Sequence, residues 1–516
     1  MVITWKAPEG ISGDPLHQVL KSRGIDPDNL ESGLQDFPDE ALCKNIDVVA
    51  ERIRQALYKN ESMVIFGHDD PDGVTSTYIL YQYLNSCGYQ KHKYFIPNRN
   101  LEPHGIQQSV LDFVKEGGYT LLITVDNGIS AFQGVTELNK LGCEVIITDH
   151  HLVQPDQIPP AYTIMNPQLP GCQYPFKALS GVGVALILIR YLSRILEHPV
   201  SPASYFWAGV GSIADKVPMI GVNRAMVRYV LENWEQVPDY TIDFLSRNYP
   251  RINSRTDIFN FMVNTSRLIA NGREAAGQHT AMRFMLQVSD EKAELFQDLE
   301  LQKKKWEQEL NKVFGFIDNL INGFVGSFFV YFDDDDAIPY NLLGTAATYV
   351  VNNLGIPAIM LKIHNGLMVC EGRCLDGVNM VSAFTHCKEH LIQFGGHPRA
   401  AGFTMEPEKY DGFLECFNEY LQALDQPEET EASVADGVIS LSDLNHENWQ
   451  KLELLLPWGM QNPEPVFIIK QCSYNELKSK VEIENGLHPA NPDEKHRFVI
   501  NWKSSQQVRI LEMQRV

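Results

Sequence analysis

Met63-Val64-Ile65-Phe66-Gly67-His68-Asp69-Asp70-Pro71-Asp72-Gly73 is the stretch from which the fold can be read. Its four opening apolar residues, two of them β-branched, predict a strand buried on both faces, as in a parallel sheet. A polar turn follows, and helical periodicity then runs over residues 73–87. The alternation repeats outward from there. Further strands are expected at 93–96, 120–125 and 144–148, with helices at 108–115 and 131–141, and a helix at 41–58 precedes the set. Strand–helix alternation at this spacing predicts βαβ units and a parallel sheet, an α/β fold.

In such a sheet, ligands bind outside the carboxyl ends of the strands. Polar residues gather there. The first strand runs into His68, Asp70 and Asp72, the third into Asp126-Asn127-Gly128, and the fourth into Asp149-His150-His151. A further group, Ala214-Asp215-Lys216-Val217-Pro218, closes a helical stretch after Gly211. Taken alone, Asp70 and Asp72 would be turn and N-cap residues, Asp126 an Asx-turn, Asp215 a helix-end residue, and His150 and His151 ordinary strand-end histidines. Together at successive strand ends they point elsewhere. Converging carboxylates repel one another unless a cation neutralises them. Carboxylates with a few imidazoles suit Mn²⁺ or Mg²⁺ better than a thiolate-binding metal. The donors suffice for two ions sharing a carboxylate, and two ions ~3.5–4 Å apart can activate a water and stabilise in-line displacement at phosphorus.

The remaining chain is less regular. Residues 179–240 read as mostly helical, and a long polar helix is expected over 291–319. A second, smaller α/β region has strands at 327–332 and 358–362 around a helix at 342–353. The acidic run 333–336 reads as a solvated turn, and residues 426–431 as a linker. Beyond it, two strand-like pieces are legible, at 465–470 and 496–502, with Tyr474 and Trp502 as candidate base-stacking aromatics.

The net charge of −22 excludes a protein that coats nucleic acid with a basic surface. The charge is uneven, however. Residues 411–467 hold twelve acids against one lysine, whereas residues 468–516 hold eight Lys/Arg against six acids. A basic groove is compatible with that distribution. The acidic stretch itself reads as a solvated face. No apolar run reaches membrane-spanning length, and the start lacks a secretory pattern. Nine scattered cysteines, with Cys370 and Cys374 the closest pair, read as reduced cytosolic thiols.

The four polar groups, taken in order, resemble the DHH phosphoesterase superfamily, and most closely its RecJ-type single-stranded-DNA exonucleases. Ile96-Pro97-Asn98-Arg99, Asn166-Pro167, Leu179-Ser180-Gly181-Val182-Gly183 and Gly211–Pro218 extend the likeness. So do Arg267-x-x-Ala270-x-Gly272-Arg273, Phe394-Gly395-Gly396-His397-Pro398-Arg399 and the stretch from Pro457 to Phe467.

The resemblance implies a DHH domain at 56–290 after an N-terminal extension at 1–55, and a connecting helix at 291–320. A DHHA1 domain at 321–425 and an OB-like β domain at 426–516 follow, with the active site in the cleft between the first two domains. His68, Asp70, Asp72, Asp126, His150 and Asp215 match the family's metal ligands for two Mn²⁺ or Mg²⁺ ions, with Asp126 bridging. Asp149 matches an orienting partner and His151 a contact to the scissile phosphate. Arg99, Arg273 and Arg373, with Gly395, Gly396 and His397, match substrate-binding positions.

The implied activity is metal-dependent exonucleolytic hydrolysis of single-stranded DNA, 5′→3′, in repair or recombination, by a cytoplasmic monomer that has protein partners in repair. Alternatives are a phosphodiesterase of short RNA or cyclic dinucleotides and a non-catalytic replication scaffold. Three positions depart from the pattern. His68 stands where Asp is usual, Ile269 stands where Asn is usual, and no Trp-His-Pro-Gly segment is recognisable at 337–344.

Overall fold

The computed structural model describes residues 5–516 except 32, 99–101, 103–104, 154–156, 273–276, 365, 376–377, 424–432 and 485–487, and it does not describe the side chains of residues 29, 31 and 397. The chain forms two compact units, one of residues 6–303 with 434–516 and the other centred on residues 304–433.

The first unit is built on a five-stranded sheet. Its strands are β1 (Met63–Phe66), β2 (His92–Phe95), β3 (Leu121–Val125), β4 (Glu144–Thr148) and β5 (Thr163–Met165), in the order β2-β1-β3-β4-β5. Every pairing is parallel. Parallel strands covered on both faces must be apolar throughout, and β1 and β3 are buried at every residue. All their carboxyl ends therefore open on one edge. The expected strands lie within a residue or two of those formed. The short β5 was not expected.

Helix α1 (Ile46–Lys59) starts later than the periodicity suggests, because residues 40–42 form a 3₁₀ turn and Asn45 turns the chain in the left-handed region, φ 68°. Its Arg52, 7% exposed, binds Glu61 and Glu144, both at 2.7 Å, and so ties the helix to the segments that start β1 and β4. Helix α2 (Pro71–Ser86) follows β1. Asp70 caps it through the Gly73 N–H at 3.0 Å, and Pro71 occupies the first turn, where its missing N–H costs nothing. Helices α3 (Gln108–Gly117) and α4 (Phe132–Lys140) complete the crossovers, and α5 (Gly181–Ile195), α6 (Pro202–Ala214), α7 (Gly221–Glu232) and α8 (Arg255–Ile269) form the helical region. Helix α9 (Glu291–Ile321) spans 31 residues and carries the chain into the second unit.

The second unit holds a mixed five-stranded sheet. Its strands are β6 (Phe329–Asp333), β7 (Ala358–His364), β8 (Leu367–Arg373), β9 (Gln393–His397) and β10 (Ala400–Met405), in the order β9-β10-β8-β7-β6. Helix α10 (Leu343–Leu354) connects β6 to β7, which are parallel. Two sequence expectations are corrected here. Asp333 is not part of a solvated turn. It is 3% exposed, binds the Lys362 ammonium at 2.8 Å and accepts the N–H groups of Ala337 and Ile338. Nor are all the cysteines free. Helices α11 (Met380–His386) and α12 (Tyr410–Ala423) pack in one apolar cluster, which brings Cys387 and Cys416 to a Cα separation of 5.8 Å, and they form a disulfide.

The C-terminal β region belongs to the first unit, and its apolar residues share one core cluster with the parallel-sheet region. Its sheet comprises β11 (Gly437–Ile439), β12 (Val466–Ser473), β13 (Glu482–Ile483), β14 (Lys495–Ser504) and β15 (Gln507–Arg515), in the order β11-β12-β14-β15-β13, an OB-like arrangement. Trp502 and Tyr474 do not offer stacking faces. They are 0% and 5% exposed, and the Trp502 ring packs near Trp449 and Phe467. The acidic stretch is likewise not wholly solvated, since Asp436 binds Arg23 at 2.7 Å and Glu453 is buried against Thr256. The linker expected at 426–431 lies outside the described residues.

Candidate metal centre

The carboxyl edge of the parallel sheet brings together all six expected ligands. Beyond β3 the backbone turns at Asp126, which adopts the left-handed region, φ 60°, and is 2% exposed. His150 follows β4, and its Nε2 lies 3.1 Å from Asp126 Oδ1, 3.9 Å from Asp215 Oδ2 and 4.0 Å from Asp72 Oδ2. His68 follows β1, with Nδ1 3.0 Å from Asp70 Oδ2 and 4.0 Å from Asp126 Oδ2. Asp215 caps the carboxyl end of α6.

Three sets of donor atoms each fall within 4.8 Å of one another: His68, Asp70 and Asp126; Asp72, His150 and Asp215; and Asp126, His150 and His151. Asp126 is shared by the first and third sets and His150 by the second and third, so the three sets adjoin one another.

The imidazoles are held in one tautomer. His150 Nδ1 donates to the Leu179 carbonyl at 3.0 Å, which leaves Nε2 and its lone pair directed at the carboxylates. His151 Nδ1 donates to Asp149 Oδ1 at 2.7 Å. Asp149 itself is 1% exposed and accepts the backbone N–H groups of Ile129, His150 and His151. Asp149 is in none of the three donor sets and orients the histidines through these bonds, while the His151 side chain is half exposed.

Glycine makes the close approach possible. A Cβ on Gly181 would stand 2.4 Å from Asp126 Cβ, and one on Gly73 would stand 2.4 Å from His68 Cβ. One on Gly211 would stand 3.0 Å from Asp72 Oδ1. Between the helices bearing Gly181 and Gly211, the Ser180 and Ser212 hydroxyls share a hydrogen bond of 2.8 Å. From sequence, Leu179 to Gly183 is legible only as part of the family likeness, and no role is assigned there to Gly181 or to the Leu179 carbonyl. The signal was there in the Leu179–Gly183 motif.

The electrostatics fit a cation. Burial first, then the charges of Asp72, Asp70, Asp215 and Asp149, push the Asp126 carboxyl well above its ordinary range. Burial also raises Asp72, with His150 opposing and Asp70 reinforcing. Asp215 is pushed up to about 7 by burial and by Asp72. Asp149 goes the other way: burial opposes, but the bond from His151, the charges of both histidines and the Ile129 N–H hold it at about 2. Carboxylates thus crowded are costly as anions until a metal joins them, and the oxygen–imidazole donor set is of the type that holds Mn²⁺ or Mg²⁺.

The expected substrate-binding residues are not all visible. Arg99 and Arg273 lie outside the described residues, as does the His397 side chain. Arg373 ends β8 in the second unit, where its Nη1 binds Glu371 at 2.9 Å. Its backbone pairs with Ala400, which pairs in turn with His397. Gly395 and Gly396 lie in strand β9, paired with Gly402 and Ala401. Gly396 has φ 135° and leaves no room for a Cβ, which would meet the Ala400 carbonyl at 2.5 Å.

Residues 62–208 match the DHH family, N-terminal domain, residues 324–423 the DHHA1 domain, and residues 435–486 the RecJ OB domain. The chain belongs to the DHH family, in its RecJ-type branch. Among curated proteins, it is 30% identical over 457 residues to the single-stranded-DNA-specific exonuclease RecJ of Bacillus subtilis, covering 86% of this chain and 56% of that one. The chain thus spans little more than half of that relative's length. The RecJ of Salmonella typhimurium is 26% identical over 511 residues, covering 91% of this chain and 86% of the relative. Among solved structures, RecJ from Thermus thermophilus in complex with Mn²⁺ has the same fold, with a TM-score of 0.74 at 21% identity over 97% of this chain and 76% of that one. A manganese-bound exonuclease RecJ matches with a TM-score of 0.61 at 25% identity, over 75% of this chain and 96% of that one.

Proposed function

We propose that this DHH-family chain is a divalent-metal phosphodiesterase that removes nucleotides from single-stranded DNA in the 5′→3′ direction, in repair or recombination. The observation that carries this reading is Asp126, which is buried, belongs to two of the three donor sets and lies through Oδ1 3.1 Å from the His150 Nε2 of the remaining one. His68, Asp70 and Asp126 would hold one Mn²⁺ or Mg²⁺, and Asp72, His150 and Asp215 the other, with Asp126 reaching both. When bound, the pair supplies Lewis-acid activation of water and charge neutralisation at phosphorus. The single-stranded-DNA activity named for the curated relatives supports the choice of substrate.

The chain's own groups set the geometry. The Leu179 carbonyl holds the His150 ring so that Nε2 serves as a ligand. Asp149 fixes His151 Nδ1–H and, against the effect of burial, raises the imidazole's affinity for a proton. Nε2 of His151 is then the atom that can donate to a phosphate oxygen as negative charge builds there. Arg373, Gly395 and Gly396 in the second unit, with Arg99, Arg273 and His397, would bind the phosphate backbone, guanidinium matching phosphate in a bidentate fork.

A full complement of six ligand-competent side chains supports an enzyme over a scaffold. Among the described residues, no helix is long and apolar enough to cross a membrane. A cytoplasmic monomer that meets its partners at single-stranded DNA fits this reading.

The test is degradation of end-labelled single- and double-stranded DNA with Mn²⁺, with EDTA, and by Asp126→Ala. Release of mononucleotides from the 5′ end of single strands by the wild type with Mn²⁺ alone is expected. Faster turnover of dinucleotides than of long strands would favour a short-RNA or cyclic-dinucleotide phosphodiesterase instead.

A further inference from the structure

The donor set of Asp72, His150 and Asp215 draws on three elements: the start of α2, the end of β4 and the end of α6. Two of its members are oriented by one short stretch, Leu179 to Val182. The Leu179 carbonyl accepts His150 Nδ1–H at 3.0 Å, and the N–H groups of Gly181 and Val182 donate to Asp72 at 2.6 and 2.8 Å. Asp215 is the third member. Its place relative to the other two depends on how α6 sits against the start of α5.

Ser180 and Ser212 make that connection. Ser180 caps α5, its hydroxyl oxygen accepting the Gly183 N–H at 3.1 Å, and the same oxygen lies 2.8 Å from Ser212 Oγ. Ser212 precedes Asp215 by three residues. Helical geometry runs on to Asp215, whose N–H donates to the Gly211 carbonyl at 2.9 Å. Residues three apart share one helix face, so Ser212 and Asp215 lie on the same side of α6. Both serines are 0% exposed. Water does not reach either hydroxyl, and a buried hydroxyl without a partner is costly, so each depends on the other. The helices also touch at this point, since a Cβ on Gly211 would stand 2.8 Å from Val182 Cγ1.

The set of His68, Asp70 and Asp126 is held in another way. His68 follows β1 and Asp126 follows β3, two strands paired directly in the sheet, and Asp70 caps its own helix through the Gly73 N–H at 3.0 Å. One set is thus fixed by neighbouring strand ends, and the other by a junction between helices that a single hydroxyl pair closes.

We infer that Ser212, acting through Ser180, is a positioning residue for one cation of the pair, the one assigned to Asp72, His150 and Asp215. This rests on the two-cation reading given above. The hydroxyl pair keeps Asp215 in place against the stretch that orients His150 and Asp72, and the other cation is independent of it.

Mn²⁺ is titrated into the full chain by calorimetry, and the electron paramagnetic resonance of the bound ions is recorded in parallel, because neighbouring Mn²⁺ ions couple and give a spectrum unlike that of a single ion. The wild type takes up two ions and shows the coupled spectrum. Ser212→Ala keeps the affinity for one ion within about three-fold and loses at least ~10-fold for the other, the usual scale for loosening a ligand's orientation. At a Mn²⁺ concentration that just fills both positions in the wild type, this variant therefore gives mainly the single-ion spectrum. Ser212→Thr retains the hydroxyl and binds both ions. Ser180→Ala breaks the same bond from the other side and shows the same selective loss, which decides the matter if Ser212→Ala does not fold. Equal weakening of both ions in the alanine variants, as a general loosening of the fold would give, or full affinity for both, would overturn the inference. Uptake of fewer than two ions by the wild type would instead overturn the two-cation reading, and this inference with it.

Discussion

The Asp72 carboxylate accepts the backbone N–H of Gly181 at 2.6 Å, and through its other oxygen that of Val182 at 2.8 Å. A proposed ligand that begins one helix is thus fixed by the positive end of another. The same Gly181 has no Cβ to collide with Asp126. One residue therefore sets both the orientation of Asp72 and the packing around the shared carboxylate.

Gly181→Ala is accordingly expected to damage the metal centre more than the fold. Overpacking at a tight contact costs about 1–3 kcal/mol. Mn²⁺ affinity is expected to fall by at least ~10-fold, since ligand-orienting changes typically cost ~10–100-fold. Calorimetric titration of Mn²⁺ alongside urea unfolding checks both. Unchanged Mn²⁺ affinity in a folded variant would contradict the role given to Gly181.

Asp149→Asn separates orientation from ligation. Without the carboxylate charge, the elevated proton affinity of His151 falls, so the alkaline limb of the rate profile moves to lower pH. The turnover number is expected to drop ~10²-fold or more, the usual scale for general acid–base assistance. Mn²⁺ affinity is expected to stay within about three-fold, because Asp149 stands behind the ligands rather than among them. A pH–rate profile on single-stranded DNA and a Mn²⁺ titration decide the matter.

The raised carboxyls predict the pH dependence of the metal-free protein. Asp126, Asp72 and Asp215, the last at about 7, hold protons in the folded state more tightly than in the unfolded chain. Their contribution to stability is full below the unfolded carboxyl range near ~4 and is lost as pH rises through the folded values. The melting midpoint in EDTA should therefore gain less from rising pH than that of Asp126→Asn. Mn²⁺ should raise the wild-type midpoint more at pH 8 than at pH 6. An equal effect of Mn²⁺ at both pH values would contradict the assignment.

Much of this was legible in the chain. Strands β1 and β3 are buried on both faces, so continuous apolar runs announced them, and the polar residues beyond them could be placed on one edge. Strand β5 escaped because it is three residues long and lies among prolines. What failed depended on partners distant in sequence. Asp333 looked solvated because its neighbours are, yet Lys362, 29 residues on, buries it. Trp502 and Tyr474 looked like stacking faces because an aromatic ring reads the same in sequence whether it is buried or exposed. Cys387 and Cys416 pair only because α11 and α12 pack side by side.

Arg52 offers a control on the fold alone. Its buried guanidinium joins Glu61 and Glu144 far from the carboxyl edge, at the opposite ends of β1 and β4. Arg52→Ala should cost about 2–4 kcal/mol in chemical denaturation, toward the lower end for a pair whose acids are partly exposed. Mn²⁺ affinity should not change. A large loss of metal binding in this variant would show that the edge is not rigidly supported.

The central claim is that Asp126, shared between two donor groups, is the hub of a metal-dependent nuclease. Rates of nucleotide release from 5′-labelled single-stranded DNA by wild type and Asp126→Asn, each with Mn²⁺ and with EDTA, test it most directly. The account predicts release by the wild type with Mn²⁺ only, and a loss of at least ~10³-fold in Asp126→Asn, because the variant loses the charge that both cations share. Comparable release in EDTA, or by Asp126→Asn with Mn²⁺, would contradict it.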